Sequence, residues 1–136
     1  MDRHAFICGL SGPFLTAAEA KFLSATPPAG VILFGRNVQD PEQLRGLVSS
    51  VNNEAGADGK LLILVDQEGG RVQRLSKPHW PAYPPASAFG AMSARAGAEA
   101  KRAARLSAQL MARDLHSLGI NTTCAPVLDV PVPGAD

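Results

Sequence analysis

Two carboxylates, two glycines and two arginines follow directly on an apolar run in Leu62-Ile63-Leu64-Val65-Asp66-Gln67-Glu68-Gly69-Gly70-Arg71-Val72-Gln73-Arg74. Four aliphatic residues bounded by polar and turn residues fit a strand buried on both faces. Asp66 then stands at the carboxyl end of that strand, where parallel α/β sheets place their ligand sites. A charge in such a place is either paired or bound to something. Taken alone, Asp66 also fits a strand-end aspartate capping a turn. The glycines allow close backbone approach. The arginines can fork onto oxygen acceptors or balance the acids. Gly69-Gly70 fits a phosphate cradle poorly, because the P-loop Lys-Ser/Thr and the GxGxxG spacing are missing. A divalent-metal site from Asp66, Glu68 and Asp129 is disfavoured by the nearby arginines, which make ion pairing the simpler expectation.

The elements that must position these residues read as an alternation of strands and helices. His4 to Leu10 forms a first strand, and Thr16-Ala17-Ala18-Glu19 is a capping box opening a helix to Ala25. Pro27-Pro28-Ala29-Gly30 reads as a connector, and Val31 to Phe34 as a second strand. Arg36-Asn37 beyond it reads as structural. Asp40-Pro41-Glu42 starts a helix with a capping acid and a first-turn proline, whose stripe is Leu44, Leu47, Val48 and Val51. Leu61 to Val65 is the third strand, and a loop rich in Pro and Ala runs from Gln67 to Met92. Within it, Trp80 beside His79 suits either a sugar-stacking platform or, more simply, the core. A long helix from Ala94, capped by Ser93, to Leu118 shows a core stripe of Ala96, Ala100, Ala103, Leu106, Leu110, Leu115 and Leu118. Gly119 ends it, and Ile120 to Ala125 is a fourth strand. The order β-α-β-α-β-α-β predicts an α/β fold with parallel strands. It reads as about four βα units, the N-terminal half of a TIM-like (β/α)8 barrel, whose usual length is about 250 residues. An open flavodoxin-like sheet is the alternative.

Composition excludes several function classes. The chain has 136 residues and a formal net charge of +1, with no basic block, which argues against nucleic-acid or anionic-membrane partners. No run is long enough to span a bilayer and no secretory signal is visible, so a cytoplasmic location is expected. Cys8 and Cys124 stand in apolar stretches without zinc-type spacing and read as buried free thiols.

Three segments in order, Ile32-Leu33-Phe34-Gly35-Arg36-Asn37, then Val65 to Arg74, then Ala125-Pro126-Val127-Leu128-Asp129-Val130, resemble the bacterial β-N-acetylhexosaminidases of glycoside hydrolase family 3, the cell-wall-recycling type. The resemblance implies a TIM-like barrel that removes terminal non-reducing N-acetylglucosamine from peptidoglycan fragments with retention, through a carboxylate nucleophile. It implies no metal or organic cofactor. The family's sugar-binding Asp and Arg match Asp66 and Arg74. Glu68 and Arg71 are expected to brace the loop as a local ion pair, and Asp129 to face the same pocket or hold backbone.

The family's Lys-His sugar-binding motif, its Asp-Ser-His acid/base loop and its nucleophilic Asp have no counterpart in this sequence. His4, His79 and His116 do not suit the acid/base role. The chain is therefore expected to be the N-terminal part of a single catalytic domain, residues 1–136, inactive alone. A non-catalytic half-barrel that binds sugar or assembles with another chain is the alternative, its uncovered edges and faces favouring self-association, and a family 3 β-glucosidase a third reading.

Overall fold

The computed structural model describes residues 3–56 and 61–128. Asp129 and the expected loop at 131–136 lie outside them. The elements in order are β1 (His4–Gly9), α1 (Ala17–Ala25), β2 (Pro28–Leu33), a 3-10 turn (Gly35–Asn37), α2 (Pro41–Ala55), β3 (Leu62–Val65), β4 (Gln67–Gly69), β5 (Val72–Gln73), α3 (Ala86–Ser93), α4 (Gly97–Ser117) and β6 (Thr122–Thr123).

Local sequence explains where the first helices start. Thr16 Oγ1 accepts from the Glu19 amide at 3.2 Å, while the Glu19 carboxylate accepts from the Thr16 amide at 2.9 Å, so two otherwise orphaned donors are satisfied reciprocally. Asp40 Oδ1 accepts from the amides of Glu42 and Gln43, both at 2.9 Å, with Pro41 in the first turn of α2.

β1, β2, β3 and β6 form one parallel sheet in that order. Spatial order therefore follows chain order. A flavodoxin-like sheet reverses direction at a switch point, so the open doubly wound alternative is excluded in favour of the succession found in barrels. Val31, Leu33, Ile63 and Val65 are 0–1 % exposed and join Leu44, Leu47, Val48 and Val51 of α2 and Met111 and Leu115 of α4 in one core cluster. The other face is less covered: Leu62 is 41 % and Ile7 48 % exposed. β3 is thus not buried on both faces along its whole length, as the apolar run suggested.

Four expectations are corrected. Pro28-Ala29-Gly30 is the start of β2 rather than a connector, because Gly30 passes so close to β3 that a Cβ there would lie 2.8 Å from Leu64 Cδ1. The stretch between Gln67 and Met92 is not a plain loop; it holds the antiparallel β4–β5 hairpin and α3. Ser93 ends α3 instead of capping α4, and the buried side of α4 carries Ala100, Met111 and Leu115, while Leu106 and Leu110 are 49 % and 54 % exposed.

Candidate functional site

β3 ends at Val65, so Asp66 emerges at the carboxyl edge of the sheet. The chain then doubles back through the β4–β5 hairpin, with Gln67 opposite Gln73. Gly69 (φ 89°) and Gly70 (φ 63°) make the reversal in the left-handed region. A Cβ on Gly69 would collide with the Pro84 carbonyl oxygen, and one on Gly70 would lie 2.7 Å from Pro85 Cβ. The close approach these glycines allow is thus to the chain's own residues 83–85, with the Gly70 amide donating to Tyr83 O at 2.9 Å. This is not a phosphate cradle.

The hairpin returns Arg74 to Asp66. Arg74 Nη2 donates to Asp66 Oδ2 at 2.9 Å, and the two side chains keep 31 % and 22 % of their surface exposed. Both residues singled out from sequence are therefore brought together, open to solvent, beyond the carboxyl end of a parallel strand. Gln67, 1 % exposed, lies between them in the chain. Its Oε1 accepts from the amides of Arg74 (2.9 Å) and Leu75 (3.0 Å), and its Nε2 donates to Leu75 O at 3.0 Å. On the other side, β6 runs in register with β3, Val65 opposite Thr123. Thr123 Oγ1 lies 3.2 Å from both Val65 O and Gln67 O, the carbonyls that flank Asp66. The Cys124 amide donates to Val65 O at 3.1 Å.

Cys124 is exposed and Cys8 only half-buried, so neither is the fully buried thiol expected from its apolar surroundings. Burial, then the adjoining carboxylate of Asp66 and the charge of Glu68, push the Cys124 thiol up from its ordinary value. A sequence cannot show this adjacency, because it depends on the register between β3 and β6.

The remaining candidates fall outside the pair. Glu68 and Arg71 form no ion pair among the described residues. Arg71 is exposed just past the two turn glycines, while half-buried Glu68 lines a trough towards β6, so the hairpin separates them. That trough, about 620 Å3, runs beside Phe89, Met111, Leu115 and Thr123. Trp80 is 8 % exposed and belongs to the core cluster, which removes it as a stacking platform. Tyr83 OH donates to Asp114 Oδ2 at 2.6 Å, tying the segment after the hairpin to α4; burial and then this bond hold its phenol well above the usual range. Arg36 and Asn37 are structural. Asn37 is fully buried, donates to Leu10 O (3.2 Å) and Gly12 O (2.7 Å), and accepts from the Phe34 amide (2.9 Å). Arg36 Nε donates to Leu10 O at 2.8 Å. No group of three or more His, Cys, Asp or Glu side chains converges as metal ligands among the described residues. No helix among them is long and apolar enough to cross a membrane.

Residues 13–133 match the glycosyl hydrolase family 3 N-terminal domain. The chain is 42% identical over 121 residues to a beta-hexosaminidase of Methylococcus capsulatus, covering 89% of this chain and 34% of that protein. It is 40% identical over 124 residues to a beta-hexosaminidase of Xanthomonas oryzae pv. oryzae, covering 91% and 36%. Its fold superposes with TM-score 0.87 on the crystal structure of NagZ from Neisseria gonorrhoeae in complex with N-trifluoroacetyl-D-glucosamine, at 32% identity, over 94% of this chain and 37% of that one. The chain thus spans about a third of the length of the relatives it matches. A parallel sheet in sequential order, a carboxylate–guanidinium pair at its carboxyl edge and these matches together show that the chain belongs to glycoside hydrolase family 3, as part of its N-terminal domain.

Proposed function

We propose that the chain is the N-terminal part of a single catalytic domain, residues 1–136, of a β-N-acetylhexosaminidase, and that Asp66 and Arg74 form part of the subsite for the terminal N-acetylglucosamine. The observation that carries this reading is the 2.9 Å Asp66–Arg74 pair, part-exposed at the carboxyl end of β3. A carboxylate accepts hydroxyl donors and a guanidinium supplies directed N–H donors, so together they can fix the orientation of a ring bearing several hydroxyls. The beta-hexosaminidase names of the relatives and the sugar derivative in the Neisseria structure support the substrate class. The reaction is a retaining hydrolysis, with nucleophile and acid/base supplied from outside these 136 residues. Peptidoglycan fragments are the substrate and recycling in the cytoplasm is the setting. No cofactor is required.

The test is steady-state hydrolysis of 4-nitrophenyl N-acetyl-β-glucosaminide by the full-length protein. Asp66→Ala is expected to lower kcat/KM by about 3 kcal/mol of transition-state stabilisation, roughly a hundredfold, since hydrogen bonds to charged groups carry energies of this order. Unchanged kcat/KM in Asp66→Ala contradicts the site assignment. Faster turnover of the corresponding glucoside by the native protein would move the reading to a β-glucosidase.

A further inference from the structure

We infer that Gln67 is a positioning residue whose buried side chain sets the geometry of the Asp66–Arg74 pair. This role rests on the subsite reading above and names what holds that subsite together. The hairpin ladder ends at Gln73, so Arg74 and Leu75 have passed the last residue of β5. Their backbone groups need partners, because polar groups in a buried setting are costly when unmatched. The carboxamide of Gln67 takes the place of the missing strand. Its oxygen receives the amides of Arg74 and Leu75, and its nitrogen donates to the Leu75 carbonyl. All three bonds lie within 2.9–3.0 Å, on a side chain only 1 % exposed.

The same residue is fixed from its other side. Thr123 Oγ1 sits within 3.2 Å of the carbonyls of Val65 and Gln67, so β6 pins the backbone on both flanks of Asp66. Gln67 therefore stands on backbone held by the sheet and holds the backbone of Arg74. Arg74 has little else to place it. Its Nη2 meets Asp66, but its buried Nε has no hydrogen-bond partner among the described residues. The guanidinium is thus placed by Asp66 and by its own backbone, whose amide Gln67 holds, while Leu75 O is shared between Gln67 and Gln73 Nε2 (2.7 Å). A pair assembled before the ligand arrives spares the ligand the ordering cost of forming it.

The experiment uses Gln67→Leu and Gln67→Glu in the full-length protein, with kcat/KM for 4-nitrophenyl N-acetyl-β-glucosaminide measured where circular dichroism shows each variant folded. Gln67→Leu, which loses all three bonds, is expected to lower kcat/KM about tenfold or more, the size of effect a displaced orienting group produces. Gln67→Glu supplies a readout that a purely structural role does not move. A neutral carboxyl can accept from both amides and donate to Leu75 O, so the variant is expected near native activity at low pH. Once ionised it has no proton to donate and faces the carbonyl oxygen, and burial raises the pH at which that happens. The ratio of Gln67→Glu to native kcat/KM is therefore expected to fall as pH rises. A folded Gln67→Leu protein within about twofold of native kcat/KM, or a Gln67→Glu ratio flat with pH, overturns the role. If Gln67→Leu does not fold, the pH dependence of the Gln67→Glu ratio decides alone. A native protein with no turnover of this substrate fails at the hydrolase reading itself, a result separate from native turnover with unaffected variants.

Discussion

Arg74 and Asp66 meet at 2.9 Å while keeping 31 % and 22 % of their side chains exposed. Ion pairs in such partly wetted settings contribute about 0–1 kcal/mol to folding. Stability is therefore a poor reason for the pair, and ligand binding a better one. Arg74→Ala is expected to shift the urea-unfolding free energy of the full-length protein by less than about 1 kcal/mol and to lower kcat/KM roughly a hundredfold. Arg74→Lys should recover little of the loss, because an ammonium lacks the planar fork. A large stability loss with unchanged kcat/KM would show the pair to be structural. The sequence marks Asp66 and Arg74 as candidates because charge at the end of an apolar strand has few uses and because the surrounding string resembles a known motif; their pairing at 2.9 Å is what the structure adds. Gln67 was not marked, since its role arises from the hairpin register that sets it opposite Gln73. The one signal for it was an uncharged polar residue between a buried strand and two turn glycines. The expected Glu68–Arg71 pair failed for a related reason: nearness in sequence does not survive a turn that sends the two side chains apart.

The starts of α1 and α2 are local events, and their chemistry was readable. The reciprocal Thr16–Glu19 bonds are present as a capping box. Burial works against ionisation of Glu19, but the Thr16 hydroxyl and the backbone amides of Ser11 and Thr16 outweigh it and lower its pKa from 4.5 to about 2. A carboxyl with a depressed folded pKa stabilises the fold above its unfolded value, and that contribution is lost as pH falls through the folded one. The share owed to Glu19 is thus full above about pH 5 and drains away towards about pH 2. Thr16→Ala is expected to cost about 1 kcal/mol in thermal or urea unfolding at neutral pH. Glu19→Gln should flatten the acid limb of the stability curve; an unaltered limb would assign it to other groups. The face of α4 was less legible. Ala-rich sequence blurs the apolar stripe, so the pattern through Ala103, Leu106 and Leu110 looked as good as the neighbouring one. The structure buries Ala100, Met111 and Leu115, with Leu118 just beyond, one residue step around the helix. The hairpin and α3 were hidden in proline- and alanine-rich sequence whose order comes from contacts such as Tyr83 with Asp114 and the Gly70 amide with Tyr83.

At the scale of the molecule, four parallel strands lie in chain order with a well-filled core on one side. The β-α alternation was enough to expect this arrangement, while the choice between barrel-like and doubly wound succession needed the observed strand order. The other side leaves Ile7 and Leu62 largely exposed, and β6 carries an open edge beside an apolar trough of about 620 Å3 among the described residues. Open edges and uncovered apolar faces promote association. We expect the 136-residue polypeptide, prepared alone, to associate in sedimentation velocity as its concentration is raised through the micromolar range. A cooperatively folding monomer across that range would show that these faces need no cover. The beta-hexosaminidases it matches are about two and a half times this length. The most direct test is a crystal structure of the full-length protein with N-acetylglucosamine bound. The subsite assignment predicts sugar hydroxyls within hydrogen-bond distance of the Asp66 carboxylate and the Arg74 guanidinium, with the 2.9 Å pair intact beside them. A sugar bound away from β3, with Asp66 and Arg74 touching only each other, would contradict it.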